Sequence, residues 1–296
     1  MSDAEAARVL AEGRLVILPT ETVYGLAADA GNAVAVAAIF EAKGRPRFNP
    51  LIAHVADAVQ AEAVAVFDAR ARALAEAFWP GPLTIVAPVR DRDRVCDLAR
   101  AGLDSVAVRV PGHARARAVI AAFGRPVVAP SANRSGRPSP TTFADAVEET
   151  GAFAAALIDG GDCAVGVEST VLSVLDGRVS LLRPGSVTRE EIEAVVGPLA
   201  RFGSGDGEGH RSPGRMALHY APDAPVRIEV VAANPRRNPA RLRPGGRRPA
   251  LEPEPVRRPA RGGGQSVPPI TRGGPRAAVG DRGVADTGAG ARRGDQ

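Results

Sequence analysis

Beyond Val231 the chain loses every feature that lets a sequence build a core. The last 65 residues hold 12 glycines and 10 prolines and show no apolar periodicity. Such a segment buries too little apolar surface to offset the entropy of ordering it, so residues 232–296 are expected to be a low-complexity, disordered tail. Charge divides the chain in much the same way. Residues 1–200 carry 20 basic and 24 acidic side chains, a net −4, while residues 201–296 carry 18 and 9, a net +9. The overall +5 therefore belongs to the C-terminal part, and the body has no positive footprint for non-specific nucleic-acid binding. Arg90, Arg92 and Arg94 read as a solvated face.

Two cysteines, Cys96 and Cys163, are too few for a disulfide scaffold and have no metal-ligand spacing around them. The four histidines form no HxxH or HExxH group, so no protein metal site is expected. The start of the chain, MSDAEAARVLAEG, is acidic and lacks a long apolar run, so no signal peptide or membrane span is expected. A cytoplasmic location follows as an expectation.

Within residues 1–200 the pattern alternates. A helix at 4–11 is followed by a buried strand, RLVILPT, and a turn around Gly25. NAVAVAAIFEAKG reads as a helix capped by Asn32 and stopped at Gly44. PLIAHV is a strand, AVFDARARALAEAFW an amphipathic helix, and LTIVAPV, SVAVRVP and PVVAPSA are further strands. TFADAVEETG is helical, AALIDGG extended, and STVLSVL-DG-RVSLLRP a hairpin turning at Asp176 and Gly177. Strands that alternate with helices but also come in adjacent pairs predict an α/β fold with a twisted mixed sheet flanked by helices. Residues 1–200 form the catalytic domain in this reading, and residues 201–231 form a linker that opens on RFGSGDGEG and ends in a short strand.

Polar groups gather where strands end, which is where sheet proteins place ligands. Thr20, Thr22 and Tyr24 follow the first strand. Lys43 is the sole lysine beside 37 arginines, and with Arg45 it flanks Gly44, a candidate cationic clamp for carboxylate or phosphate oxygens. Ser131, Asn133 and Gly136 in VVAPSANRSGRPSPT suit a phosphate or adenine-ribose cradle, although ordinary turns use the same residues. Arg109 and Arg183 end apolar strands and need anionic partners. Glu168, Ser169 and Thr170 precede another strand, as candidates for Mg²⁺ or an amino group. No Ser-His-Asp order and no paired catalytic carboxylates stand out. Cations and hydroxyls without a nucleophile point to nucleotidyl transfer, which runs on positioning and charge neutralisation.

Seven segments in order, PTETVYGL, KGRPRFNPLIAHV, WPGPLTIV, VRVPGH, APSANRSGRPSPT, VGVESTVL and LLRPG, resemble the YrdC-like threonylcarbamoyl-AMP synthase family. The resemblance implies a YrdC-like fold and an L-threonylcarbamoyladenylate synthase. Such an enzyme joins L-threonine, bicarbonate and Mg²⁺-bound ATP, releases pyrophosphate, and serves the threonylcarbamoyl modification of tRNA adenosine 37. By the same resemblance Lys43 and Arg45 are catalytic, holding ATP phosphates and the threonine carboxylate. Ser131, Asn133, Ser169 and Arg183 hold the nucleotide, while Thr22, Tyr24, His54, Arg109 and Thr170 line the threonine and bicarbonate side. Downstream tRNA-modification proteins are the implied partners, with any tRNA contact indirect and no membrane involved. SPGRMALHYAP resembles the linker of the family's longer form and makes His219 and Tyr220 a candidate lid. The second domain expected after it is replaced by Arg, Pro, Gly and Ala, as in a degenerate or out-of-frame tail. The alternative is a non-catalytic protein that binds double-stranded RNA or tRNA in ribosome maturation, against which the acidic body weighs.

Overall fold

The structure, a computed structural model, describes residues 1–46 and 48–200. The linker and tail assigned to 201–231 and 232–296, with His219 and Tyr220, lie outside the described residues. Nine strands are described: β1 (Val16–Leu18), β2 (Gly25–Asp29), β3 (Ile52–His54), β4 (Leu83–Pro88), β5 (Ser105–Arg109), β6 (Val127–Val128), β7 (Ala156–Leu157), β8 (Thr170–Ser173) and β9 (Ser180–Arg183). They form a single mixed sheet in the order β7-β1-β2-β6-β3-β5-β4-β8-β9. Three neighbouring pairs are parallel, β1 with β7, β3 with β5 and β4 with β8, and the others are antiparallel. The mixed sheet expected from the strand spacing is the one that forms.

Alternation along the strands decides which side each residue faces. Val16 and Leu18 of β1 join one apolar cluster, with α1 (Asp3–Ala11) and α6 (Ala114–Phe123), while Ile17 between them joins the cluster on the other face. That larger cluster takes residues from α2 (Ala33–Lys43), α3 (Ala58–Val64), α4 (Ala69–Phe78), α5 (Asp97–Arg100), α7 (Phe143–Thr150) and α8 (Arg189–Val196). Side chains such as Leu10, Ile17 and Ile120 are fully buried, each worth about 2 kcal/mol relative to exposure. A third, smaller cluster consists of Ile52, Val86, Ala107, Val171 and Leu182.

Local signals hold where they are chemical. Asn32 accepts from the Val34 and Ala35 N–H groups at the start of α2, and Gly44 ends the helix in the left-handed region at φ 58°. Asp176 and Gly177 turn the β8–β9 hairpin with φ 55° and 68°. Three expectations are corrected. Gly25 starts a fully buried strand rather than a turn, because residues 25–29 are sandwiched between β1 and β6. The single helix expected over AVFDARARALAEAFW begins only at Ala69, where Asp68 accepts from the Ala71 N–H and caps it. The first strand is shorter than RLVILPT, ending at Leu18, since Thr20 turns the chain by accepting from the Thr22 and Val23 N–H groups.

Candidate active site

The polar residues converge at one pocket at strand ends drawn from across the sheet. Its lining includes Thr20 and Thr22 after β1, Arg45 after α2, His54 on β3, Arg109 on β5, Ser131 after β6, Glu168 and Ser169 before β8, and Arg183 on β9. The pocket itself is tight, about 30 Å³. It adjoins a roomier cleft of about 510 Å³ that shares Val23, Glu168 and Arg183 and is otherwise walled by Pro138, Ser139, Gly166, Val167, Pro184 and Gly185. A cleft of that size suits a small ligand.

Two of the arginines are locked by the same device. Arg109 donates from Nη2 to Glu21 Oε1 at 2.6 Å, from Nη1 to Thr22 Oγ1 at 2.9 Å and from Nε to the Gly81 carbonyl at 3.2 Å. Arg183 pairs Nη1 with Glu168 Oε2 at 2.9 Å, and donates to Ser169 Oγ and to the Ser169 carbonyl, both at 3.0 Å. Each guanidinium is thus fixed by a carboxylate, a hydroxyl and a carbonyl. Glu168 is held in turn by the Ser139 hydroxyl at 2.8 Å, and Ser169 by Thr84 at 2.8 Å. A guanidinium oriented in advance loses little entropy when it takes a bidentate anion. Arg45, the third, reaches the Pro50 carbonyl at 3.3 Å.

The register of β3 against β5 pairs His54 with Arg109. Burial and the adjacent Arg109 push the imidazole down to about 3, so the ring is neutral at working pH. Its Nδ1 lies 3.1 Å from the Ile52 carbonyl. A carbonyl only accepts, so a neutral ring carries its proton on Nδ1 and offers Nε2 as an acceptor.

Four of the expected site residues do not line this pocket. Tyr24 is fully buried, and its hydroxyl donates to the Gly161 carbonyl at 2.7 Å and accepts from the Gly160 N–H at 3.0 Å. Its place is under the loop that leads to Glu168, not against the cavity. Thr170 is also fully buried, donating to the Val187 carbonyl at 2.8 Å and accepting from the Val187 N–H at 3.1 Å. Asn133 donates to the Arg134 and Arg137 carbonyls at 2.7 and 2.8 Å and so closes the turn through Gly136. Lys43 donates its ammonium to the Ser131 and Asn133 carbonyls, and its own carbonyl accepts from the Ser135 N–H at 2.7 Å. The lysine and the Ser-Ala-Asn loop are therefore one unit. Burial and Arg45 push the Lys43 ammonium down to about 7, against which the two carbonyls favour the charged form. Thr22, Arg45, His54, Arg109, Ser131, Ser169 and Arg183 are brought together as expected. Glu21 was missed, although its place between Thr20 and Thr22 was a usable signal.

Residues 8–185 match the model of the Sua5, YciO and YrdC family, described as "Telomere recombination". The chain belongs to this family. Residues 187–252 match "Threonylcarbamoyl-AMP synthase, C-terminal domain", a match that runs past the Val231 boundary drawn from composition. Similar relatives include the threonylcarbamoyl-AMP synthase of Bacillus subtilis, 47% identical over 76% of this chain and 66% of that protein. That of Pyrococcus abyssi is 45% identical over 78% of this chain and 68% of its own length. The chain thus spans about two thirds of the length of these curated relatives. A crystal structure of P. abyssi Sua5 complexed with L-threonine superposes with a TM-score of 0.70 at 45% identity, covering 75% of this chain and 66% of that one. E. coli YciO, 18% identical with a TM-score of 0.53 over 63% of this chain and 91% of its own, shares the fold. Among the described residues no group of three or more His, Cys, Asp or Glu converges to hold a metal, and no helix is long and apolar enough to cross a membrane.

Proposed function

We propose that this Sua5-family chain forms threonylcarbamoyl-AMP and pyrophosphate from L-threonine, bicarbonate and ATP. The observation that carries the reading is the pocket where Arg45, Arg109 and Arg183 meet the neutral imidazole of His54. The relative whose structure holds L-threonine shares its fold and 45% of its sequence over the aligned part. In the first step the amine of threonine and bicarbonate give the carbamate and water. In the second a carbamate oxygen bonds to the α-phosphorus of ATP and pyrophosphate leaves. Arg109 binds the threonine carboxylate through its free N–H groups. His54 Nε2 accepts from the amine and orients it. It is not the base: an imidazole held near 3 is far too weak to take a proton from the ammonium of an amino acid. Arg45 and Arg183 balance the charge that gathers on the phosphates. Mg²⁺ enters bound to ATP as part of the substrate. The apolar Val23, Val167 and Pro184 wall the adjoining cleft and limit water around the carbamate. The unstable product passes to the proteins that modify tRNA adenosine 37, so tRNA contact is indirect. Relatives named threonylcarbamoyl-AMP synthase favour this enzyme over a non-catalytic RNA-binding protein. The test is pyrophosphate release by the full chain, expected only when L-threonine and bicarbonate are both present with ATP. Release that ignores threonine overturns the reading.

A further inference from the structure

Glu21 sits behind the pocket and does not line it. Its carboxylate and the Arg109 guanidinium form an ion pair at 2.6 Å, with side chains only 14% and 4% exposed. Burial opposes the charge on Glu21 and is the largest single influence, yet Arg109 together with the backbone N–H groups of Gly112 and Glu21 outweighs it and holds the carboxyl below its ordinary value. Its second oxygen, Oε2, is buried without a hydrogen-bond partner. An arrangement of this kind adds little net stability, because desolvation cancels most of the attraction. What it does fix is direction.

The rest of the lock can be read bond by bond. Thr20 donates its hydroxyl to the Val23 carbonyl at 2.6 Å. In the 2.9 Å contact between Thr20 and Thr22 the donor must therefore be Thr22. Thr22 then meets Arg109 as an acceptor, at 2.9 Å. The bonds run one way, from Arg109 through Thr22 and Thr20 to the backbone, and Glu21 holds the other terminal nitrogen. Three of the five guanidinium N–H groups are committed, leaving two for a ligand. Gly112 belongs to the same construction, since a Cβ there would lie 3.2 Å from Glu21 Cδ.

We propose that Glu21 is a positioning residue for the substrate carboxylate, acting through Arg109. This rests on the reading that Arg109 takes the threonine carboxylate. An ionised acceptor holds a guanidinium about twice as strongly as a neutral one. Glu21→Ala removes the acceptor, and Glu21→Gln keeps its size and one oxygen without the charge. In the full-length enzyme, Glu21→Ala raises KM for L-threonine about tenfold or more, while KM for ATP stays within about twofold and kcat changes little. Glu21→Gln recovers most of the loss but keeps a rise of about threefold, again for threonine alone. That graded order, read on one substrate, is what a merely structural residue does not give. If Glu21→Ala does not fold, Glu21→Gln still carries the threonine-only signature. Equal rises for threonine and ATP, or a threonine KM unchanged or lowered in both variants, overturn the proposal. A wild-type enzyme whose pyrophosphate release ignores threonine overturns the underlying function instead, so the two failures are distinguishable.

Discussion

Lowering the pH tests how His54 is held. The folded ring titrates near 3 because burial and Arg109 disfavour its charge, whereas in the unfolded chain it titrates near 6.5. Below about 6.5 the unfolded state takes up a proton that the native state refuses. Stability therefore falls as pH drops from about 6.5 toward 3, and His54 contributes nothing further beyond that. At pH 5 this linkage amounts to about 2 kcal/mol relative to pH 8. Urea denaturation of the wild type and of His54→Asn at both pH values measures it, since asparagine keeps a donor for the Ile52 carbonyl but does not titrate. Carboxylates held below their ordinary range away from the ring, such as Asp68, lose stability in acid in both proteins and cancel in the difference. The wild type should lose about 2 kcal/mol more than the variant between pH 8 and pH 5. Equal losses would refute the argument that this ring is buried neutral against Arg109.

Two further outcomes follow from contacts already described. Lys43→Arg keeps a positive charge but puts a planar fork where a compact ammonium bridges the Ser131 and Asn133 carbonyls; turnover in the pyrophosphate assay should fall at least about tenfold, roughly 1.4 kcal/mol, and wild-type kinetics would contradict this. Gly185→Ala would bring a Cβ within 2.4 Å of the Thr170 nitrogen and 2.5 Å of the Glu168 carbonyl, backbone atoms that cannot step aside. A loss of about 3 kcal/mol in urea denaturation is expected, and an unchanged midpoint would show that the wall of the cleft yields.

Local chemistry made much of the fold legible. The Asn32 cap, the Gly44 stop and the Asp176–Gly177 turn each act within a few residues, so the sequence states them directly. Gly25–Asp29 could not be read in that way: GLAAD has no strand pattern of its own and is extended because β1 and β6 hold it from both sides. Helix α6 was equally silent, since His113 supplies no side-chain cap. The site divides along the same line. That hydroxyls and cations cluster at strand ends was visible, but their partners were not. Glu21 and Arg109 are 88 positions apart, Tyr24 and Gly161 137 apart, and Lys43 and Ser131 88 apart. Only the assembled sheet order sets those pairs, and Tyr24, Thr170, Asn133 and Lys43 then reach backbone atoms rather than line the cavity.

The solitary lysine has a practical corollary. Lys43 is 3% exposed and bound to two carbonyls, and no other ε-amine exists in the 296 residues. Reagents that acylate amines will therefore find no accessible side-chain amine in the native protein's described residues and label the α-amino group instead. A lysine-specific endoprotease has one bond to cut, between Lys43 and Gly44, where the helix ends beside the Ser-Ala-Asn loop. Where the junction opens and recloses faster than it is cut, digestion rate becomes a single-site gauge of the fraction of time Lys43 and the Ser-Ala-Asn loop are apart, and of how far a bound ligand lowers that fraction.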